Sequence, residues 1–211
     1  MDTADRRPIA ARELGVFKSL ASRLAKAGVT ANAISVAGMV AGLLAGAALG
    51  FTARRPELAR VLWVAAAAFI QLRLLANMLD GMVAIESGTA SKVGELYNEV
   101  PDRVSDTAAL VGLGYAAGGD PVWGWGAALA AMFTAYVRTT GKGAGAKHDF
   151  RGPMAKQQRM FLVTVTALFC AIAPGLYPRA PIVVLAIIVA GSVLTALRRL
   201  LAIARALRES K

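Results

Sequence analysis

The chain has 211 residues, 56% of them hydrophobic and only 18% charged, against about 45–50% and about 25% in a soluble globular domain. That imbalance, with a mean hydropathy of +0.54, excludes an ordinary soluble domain and points to a polytopic membrane protein. The net charge of +11 does not point to nucleic acid, because Lys and Arg gather near the ends of apolar stretches, as cytoplasmic loops and anionic headgroups require.

In chain order, residues 1–12 are polar and read as a loose cytoplasmic start, without the apolar run and cleavage site of a signal peptide. Residues 13–27 place Leu14, Phe17, Leu20, Ala21 and Leu24 on one helical face, with Lys18, Arg23 and Lys26 elsewhere. This pattern predicts an amphipathic helix lying in the membrane interface, closed at Gly28. A bundle of six transmembrane helices is expected within 32–205, each near the twenty or so residues a bilayer demands. The stretches are about 32–51, 58–84, from 93 into "TAALVGLGYAAG", 122–138, 161–173 and 182–204. The expected class is therefore an all-α integral membrane protein, with residues 1–211 forming a single domain.

Gly38, Gly42 and Gly46 recur every fourth residue and predict a face for close helix packing. Trp63, Trp123, Trp125 and Tyr177 read as an interfacial aromatic belt. The single cysteine, Cys170, lies in an apolar run, which excludes an intramolecular disulfide and a cysteine metal cluster. The amino-terminal segment, the 140–159 loop and the tail "RRLLAIARALRESK" carry most of the Lys and Arg. An even number of spans puts all three on the cytoplasmic side, with the short basic loop 53–57 opposite and the tail against the cytoplasmic leaflet.

Against this apolar background, 77–106 holds Asp80, Glu86, Glu95, Glu99, Asp102 and Asp106, balanced only by Lys92 and Arg103. Asn77, Asp80 and Ala84 fall at i, i+3 and i+7, and Gly94, Asn98, Asp102 and Asp106 step by four. Each set lies on one helical face. The short turn "IESGTASK" lets the two faces meet at the cytoplasmic edge of the bilayer. Carboxylates held so close repel unless one binds a proton or a cation sits between them, and hard oxygen ligands suit Mg²⁺, Mn²⁺ or Ca²⁺. A helix surfacing early would leave such acids in water. That suits Glu86 but not the four-step stripe, which is interleaved with Leu96, Val100, Val104 and Ala108. Gly81 and Gly94 would let a helix or a phosphate approach the backbone, and Pro101 interrupts the helical hydrogen bonds of the stripe.

These residues resemble the signature of the CDP-alcohol phosphotransferases, D-x-x-D-G-x-x-A-R, a gap of eight, then G-x-x-x-D-x-x-x-D. The aligned positions are Asn77, Asp80, Gly81, Ala84, Ile85, Gly94, Asn98 and Asp102, with every spacing kept. "GVTANAIS" (28–35) is similar to the family's "TPN" motif before its first span, and the resemblance covers nearly the whole chain. It implies a membrane enzyme that moves a substituted phosphate, phosphatidyl above all, from a CDP-linked donor such as CDP-diacylglycerol to an alcohol acceptor, releasing CMP. It implies Mg²⁺ or Mn²⁺ on Asn77, Asp80, Asn98 and Asp102. Asp80, Gly81, Ala84, Gly94 and Asn98 would surround the donor, and Asp102 would be the catalytic base, with Asp106 in reserve. A homodimer in the bacterial inner membrane, with its active site on the cytoplasmic side, is also implied. Three letters depart from the signature: Asn77 and Asn98 replace aspartates, and Ile85 replaces an arginine. Two negative charges are lost, so two divalent ions would be held more weakly, or only one, with Glu95, Glu99 and Asp106 available to restore charge.

Phosphate chemistry needs cations as well. Arg138, Lys156 and Arg159 are the candidates for contacts to acceptor or donor phosphate, with Lys142 and Arg151 on the same side. Any of them could instead serve as a membrane anchor. Arg73, one turn before Asn77 and inside a span, is expected to pair with an acid or reach phosphate. His148 reads as a solvated loop residue. Two rivals differ in products. A non-catalytic lipid- or nucleotide-binding protein on this scaffold would bind donor without releasing CMP, and a cation transporter would carry ion flux.

Overall fold

The computed structural model describes residues 14–89, 92–146 and 151–209, except for the side chains of Lys92, Val93 and Glu95. The polar start at 1–12 and His148 lie outside the described residues. Helices α1 (Gly15–Lys26), α2 (Ala31–Phe51), α3 (Ala59–Glu86), α4 (Lys92–Gly114), α5 (Pro121–Gly143), α6 (Lys156–Ile172) and α7 (Ala180–Glu209) follow in order, with one turn of 3-10 helix at Pro56–Leu58. No strand occurs among the described residues.

Local chemistry sets the helix ends. Gly28, at φ 77°, closes α1, and Val29 N–H reaches back to the Leu24 carbonyl at 3.0 Å, as a glycine-terminated helix requires. Thr30 caps α2 by accepting from Ala33 N–H at 3.2 Å. Asp120 caps α5, accepting from Val122 N–H at 2.8 Å, with Pro121 in the first turn where its missing N–H costs nothing. Three helical stretches, Ala31–Phe51, Pro56–Glu86 and Ala180–Glu209, are long and apolar enough to cross a membrane.

α2 packs closely on both α3 and α4, and its glycine stripe makes that possible. A β-carbon at Gly38 would sit 2.9 Å from Ala76 Cβ on α3, and one at Gly46 would run into the backbone of Ala108 on α4. Around this contact a shared core gathers Leu49, Trp63, Ile70, Leu113, Val163 and Ile188, one or more from each of α2, α3, α4, α6 and α7. Trp63 is 3% exposed and belongs to this core, not to an aromatic belt. Its indole faces the bundle because residue 63 shares a helical face with Ala66, Ala67 and Ile70, all buried. Trp123, Trp125 and Tyr177 are exposed.

The amphipathic α1 uses part of its apolar face on the protein itself. Leu20, Ala21 and Leu24 pack against Leu75, Leu79 and Val83 of α3, while Leu14 and Val16 stay exposed. The tail is not wholly a leaflet anchor either. Arg199 of α7 is buried and ties the bundle together, donating to the Arg151 carbonyl at 2.9 Å and the Thr134 carbonyl at 3.1 Å.

Candidate functional site

The facing ends of α3 and α4 bring the two polar stripes together. Asn77 donates to Asn98 Oδ1 at 3.3 Å, and Asn98 Nδ2 donates to Asp80 at 3.3 and 3.4 Å. α2 completes the cluster from a third side, with Ser35 Oγ donating to Asp80 Oδ2 at 2.7 Å. Ser35 is a site residue that the motif does not mark. Its position three residues before Gly38 and seven before Gly42 puts it on the inner face of α2, the one signal that could have disclosed it.

Asp80 is 2% exposed. Its hydrogen-bond donors among the described residues are neutral: the Ser35 hydroxyl, the Gly81 N–H at 2.5 Å and the Asn98 amide. A buried carboxylate without a positive partner is costly.

Asp102 is in the opposite condition. Arg73 Nη2 lies 3.1 Å from its Oδ1, and Lys156 Nζ lies 2.5 Å from its Oδ2. The same ammonium donates to Asn77 Oδ1 at 2.6 Å, so the first turn of α6 is fastened to both stripes.

One turn deeper, Asp106 is 3% exposed and held by two guanidiniums, Arg73 at 2.7 Å and Arg159 at 3.4 Å. Arg73 also donates to Ser105 Oγ at 2.9 Å. Arg159 is anchored to the Met154 carbonyl at 2.8 Å. Both Asp106 oxygens thus face guanidiniums inside the bundle. Arg73 pairs with acids, one of the two kinds of partner expected for it, and Arg159 is turned onto Asp106 and the Met154 carbonyl.

The cluster opens into a cavity of about 830 Å³ whose lining includes Asn77, Asn98, Glu99, Asp102, Arg103, Arg138 and Lys156. Its volume is in the range of small-molecule sites. Its apolar flank is formed by Ala68, Leu72, Leu74, Leu75 and Phe17, and Leu72 is half exposed. Asp80 lines a much smaller recess with Ser35, Asn77, Asn98 and Asp102. Arg138 reaches the large cavity with its guanidinium on Glu99, and Arg103 lies 3.6 Å from the same carboxylate. Gly81, Ala84 and Gly94 line neither space. Ile85 and Glu86 are exposed.

Among the described residues, no three acidic, histidine or cysteine side chains converge as a metal site would ask. The donor set is two carboxylates, Asp80 and Asp102, with the amide oxygens of Asn77 and Asn98. It fits a hard divalent cation at Asp80, whose hydrogen-bond donors among the described residues are all neutral, and fits one poorly at Asp102, where Arg73, Lys156 and, at 3.8 Å, Arg103 already stand.

No protein-family model matches the chain. Its sequence is 28% identical over 164 residues to phosphatidylinositol phosphate synthase of Mycobacteroides abscessus, covering 73% of this chain and 69% of that one. It is also 28% identical over 163 residues to archaetidylinositol phosphate synthase of Pyrococcus horikoshii, covering 76% of this chain and 81% of that one. The fold is similar to Mycobacterium tuberculosis phosphatidylinositol phosphate synthase with CDP-DAG bound, at a TM-score of 0.75 and 21% identity, over 90% of this chain and 94% of that one. The same enzyme in complex with manganese and citrate gives a TM-score of 0.74 at 21% identity, over 89% and 88% of the two chains.

Proposed function

We propose that the chain is a member of the CDP-alcohol phosphotransferase family and a membrane phosphatidyltransferase of phospholipid biosynthesis, a reading supported by the two synthases it resembles in sequence and by the shared fold. It would move a phosphatidyl group from CDP-diacylglycerol, or a related CDP-linked donor, to an alcohol, releasing CMP. The observation that carries this reading is the position of Asp102. It lines both the recess that holds Asp80 and the large cavity, so one carboxylate can serve donor and acceptor.

The roles follow from what each side chain touches. The apolar flank at Ala68, Leu72 and Leu75 suits acyl chains, and the polar end suits a pyrophosphate. Asn77 and Asn98 offer amide groups to the donor beside Asp80. A divalent cation, Mg²⁺ or Mn²⁺, bound there would draw charge off the pyrophosphate and stabilise the leaving CMP. Lys156, in the same cavity wall, neutralises non-bridging oxygens as a point charge. A carboxylate offers about four acceptor sites, and two hydrogen-bonded donors, Arg73 and Lys156, hold Asp102 in place. It therefore retains capacity to accept the proton of the acceptor hydroxyl. The acceptor oxygen then bonds to the phosphorus distal to the cytidine, the bond to the CMP phosphate breaks, and CMP carries the electron pair away. Arg138 and Arg103, on the cavity wall near Glu99, would receive an anionic group of the acceptor. The names of the two relatives direct the search toward phosphoinositol acceptors.

α2 to α7 are read as six spans, with the lysine- and arginine-rich ends on the cytoplasmic face of a bacterial inner membrane and a homodimer as the assembled form. Charge asymmetry supports the orientation.

A second reading has its own observation. The ammonium of Lys156 bridges Asn77 and Asp102 where an active centre would be expected to stay open, which suits a scaffold that binds donor without turnover. The two readings part on product. Detergent-purified chain is incubated with CDP-diacylglycerol, Mn²⁺ and a panel of acceptors, with Asp102→Asn as control. CMP formed by the wild type and absent in the variant supports the enzyme; saturable donor binding without CMP supports the binder.

A further inference from the structure

The two carboxylates of the small recess differ in a way that sets how many metal ions the site can take. Asp80 is buried and meets only neutral donors among the described residues. Asp102 meets Arg73 on one oxygen and Lys156 on the other. We propose that the Lys156 ammonium, seated between Asn77 Oδ1 and Asp102 Oδ2, is a resident cation of this centre and limits it to a single divalent ion, held on the Asp80 side. The inference rests on the phosphatidyltransferase reading and specifies its metal content.

Charge and donor chemistry carry the argument. Asn77 offers its carbonyl oxygen to the ammonium at 2.6 Å. An aspartate there would make the ammonium a partner of two carboxylates, and also a competitor for any ion drawn to them. With asparagine at 77 and 98, the recess holds two formal negative charges, from Asp80 and Asp102. Arg73 and Lys156 already satisfy Asp102. A second divalent ion would have to displace a lysine whose side chain is only 11% exposed, and would then lie close to the Arg73 guanidinium. A single divalent ion at Asp80 displaces no ion pair: the Asn98 amide, which now donates to Asp80 through Nδ2, would turn its oxygen to the ion, with the Ser35 hydroxyl alongside. The ammonium lines the large cavity in which a pyrophosphate would lie, and the ion would sit in the adjoining recess that Asp80 lines with Asp102. The lysine does by covalent attachment what a second ion does by binding, and it cannot be removed by chelation.

The test counts ions. Full-length chain in detergent is stripped with chelator and dialysed against Mn²⁺ alone, and bound manganese per chain is measured by elemental analysis. Wild type should bind one Mn²⁺. Asp80→Asn should weaken that binding at least tenfold, whereas Asp102→Asn should leave one ion bound. The paired change Asn77→Asp with Lys156→Met removes the ammonium and restores a carboxylate. It should raise the count to two, a gain of binding that misfolding cannot produce.

Two ions on the wild type, none at all, or an ion that survives Asp80→Asn but not Asp102→Asn would each overturn the assignment. CMP release measured on the same wild-type preparation separates the two levels. CMP formed with two ions bound sinks only the role given to Lys156, while no CMP with any acceptor sinks the reading beneath it.

Discussion

Arg73 Nη2 lies 2.7 Å from Asp106 Oδ1, with the two side chains 2% and 4% exposed. This pair is the floor of the site. It joins α3 to α4 one helical turn below Asp102, and the same guanidinium reaches Asp102 itself. Removing one member of a buried pair leaves the other charge uncompensated, at a cost of about 3–5 kcal/mol. Arg73→Met should therefore lower the thermal unfolding midpoint in detergent on the order of 10 °C. An unchanged midpoint would show that Asp106 is satisfied without it.

Asp102 and Asp80 should behave differently from that floor. Asp102→Asn and Asp80→Asn preserve shape and remove charge, so each should cut the rate of CMP formation by at least ~100-fold while the protein still elutes as the wild type does. The check is a steady-state rate with elution and melting profiles on the same samples. Full activity in both variants would dismiss the assignment of the site.

The glycine stripe of α2 makes a packing prediction with an internal control. A β-carbon at Gly46 would meet the Ala108 backbone, whereas one at Gly50 would make only ordinary contacts, with Tyr115 Cβ at 3.7 Å and the Gly112 carbonyl oxygen at 4.0 Å. Gly46→Ala should cost about 1–3 kcal/mol through forced separation of α2 and α4. Gly50→Ala should be neutral, or stabilising by up to about 1 kcal/mol from helix propensity. Denaturation of the two variants side by side decides it.

Arg138 stands on the cavity wall with Glu99 as its partner. If it receives an anionic group of the acceptor, Arg138→Gln should raise the acceptor KM about tenfold for a phosphorylated alcohol, equivalent to ~1.4 kcal/mol. The KM of a neutral alcohol and that of the CDP-linked donor should hold. Equal rises for charged and neutral acceptors would move Arg138 to a structural role.

The meeting of the stripes is legible in the sequence itself, because Asn77, Asp80, Asn98 and Asp102 keep helical spacing across one short turn, and a helix hairpin leaves such faces little choice. The partners of those residues are less so. Arg73 announces itself by lying inside an apolar span, yet nothing local tells an acid from a phosphate as its partner. Arg159 and Arg199 resemble membrane anchors in sequence, since a basic residue at the end of an apolar helix serves either purpose. Only the tertiary arrangement turns them onto Asp106 and onto the Thr134 carbonyl. Trp63 misleads for the same reason: an aromatic near the end of a span reads as a belt residue until its neighbours on the helix are seen to be buried. Pro101 is compatible with an unbroken α4, with Ser105 Oγ donating to the Pro101 carbonyl at 2.7 Å.

The most direct measurement is CMP release from CDP-diacylglycerol by the purified chain, with and without Mn²⁺, across phosphorylated and neutral acceptors. Manganese-dependent CMP formation that needs an acceptor and disappears in Asp102→Asn is the predicted result. Donor that binds saturably yet yields no CMP with any acceptor would contradict it and leave a binding protein built on a phosphatidyltransferase scaffold.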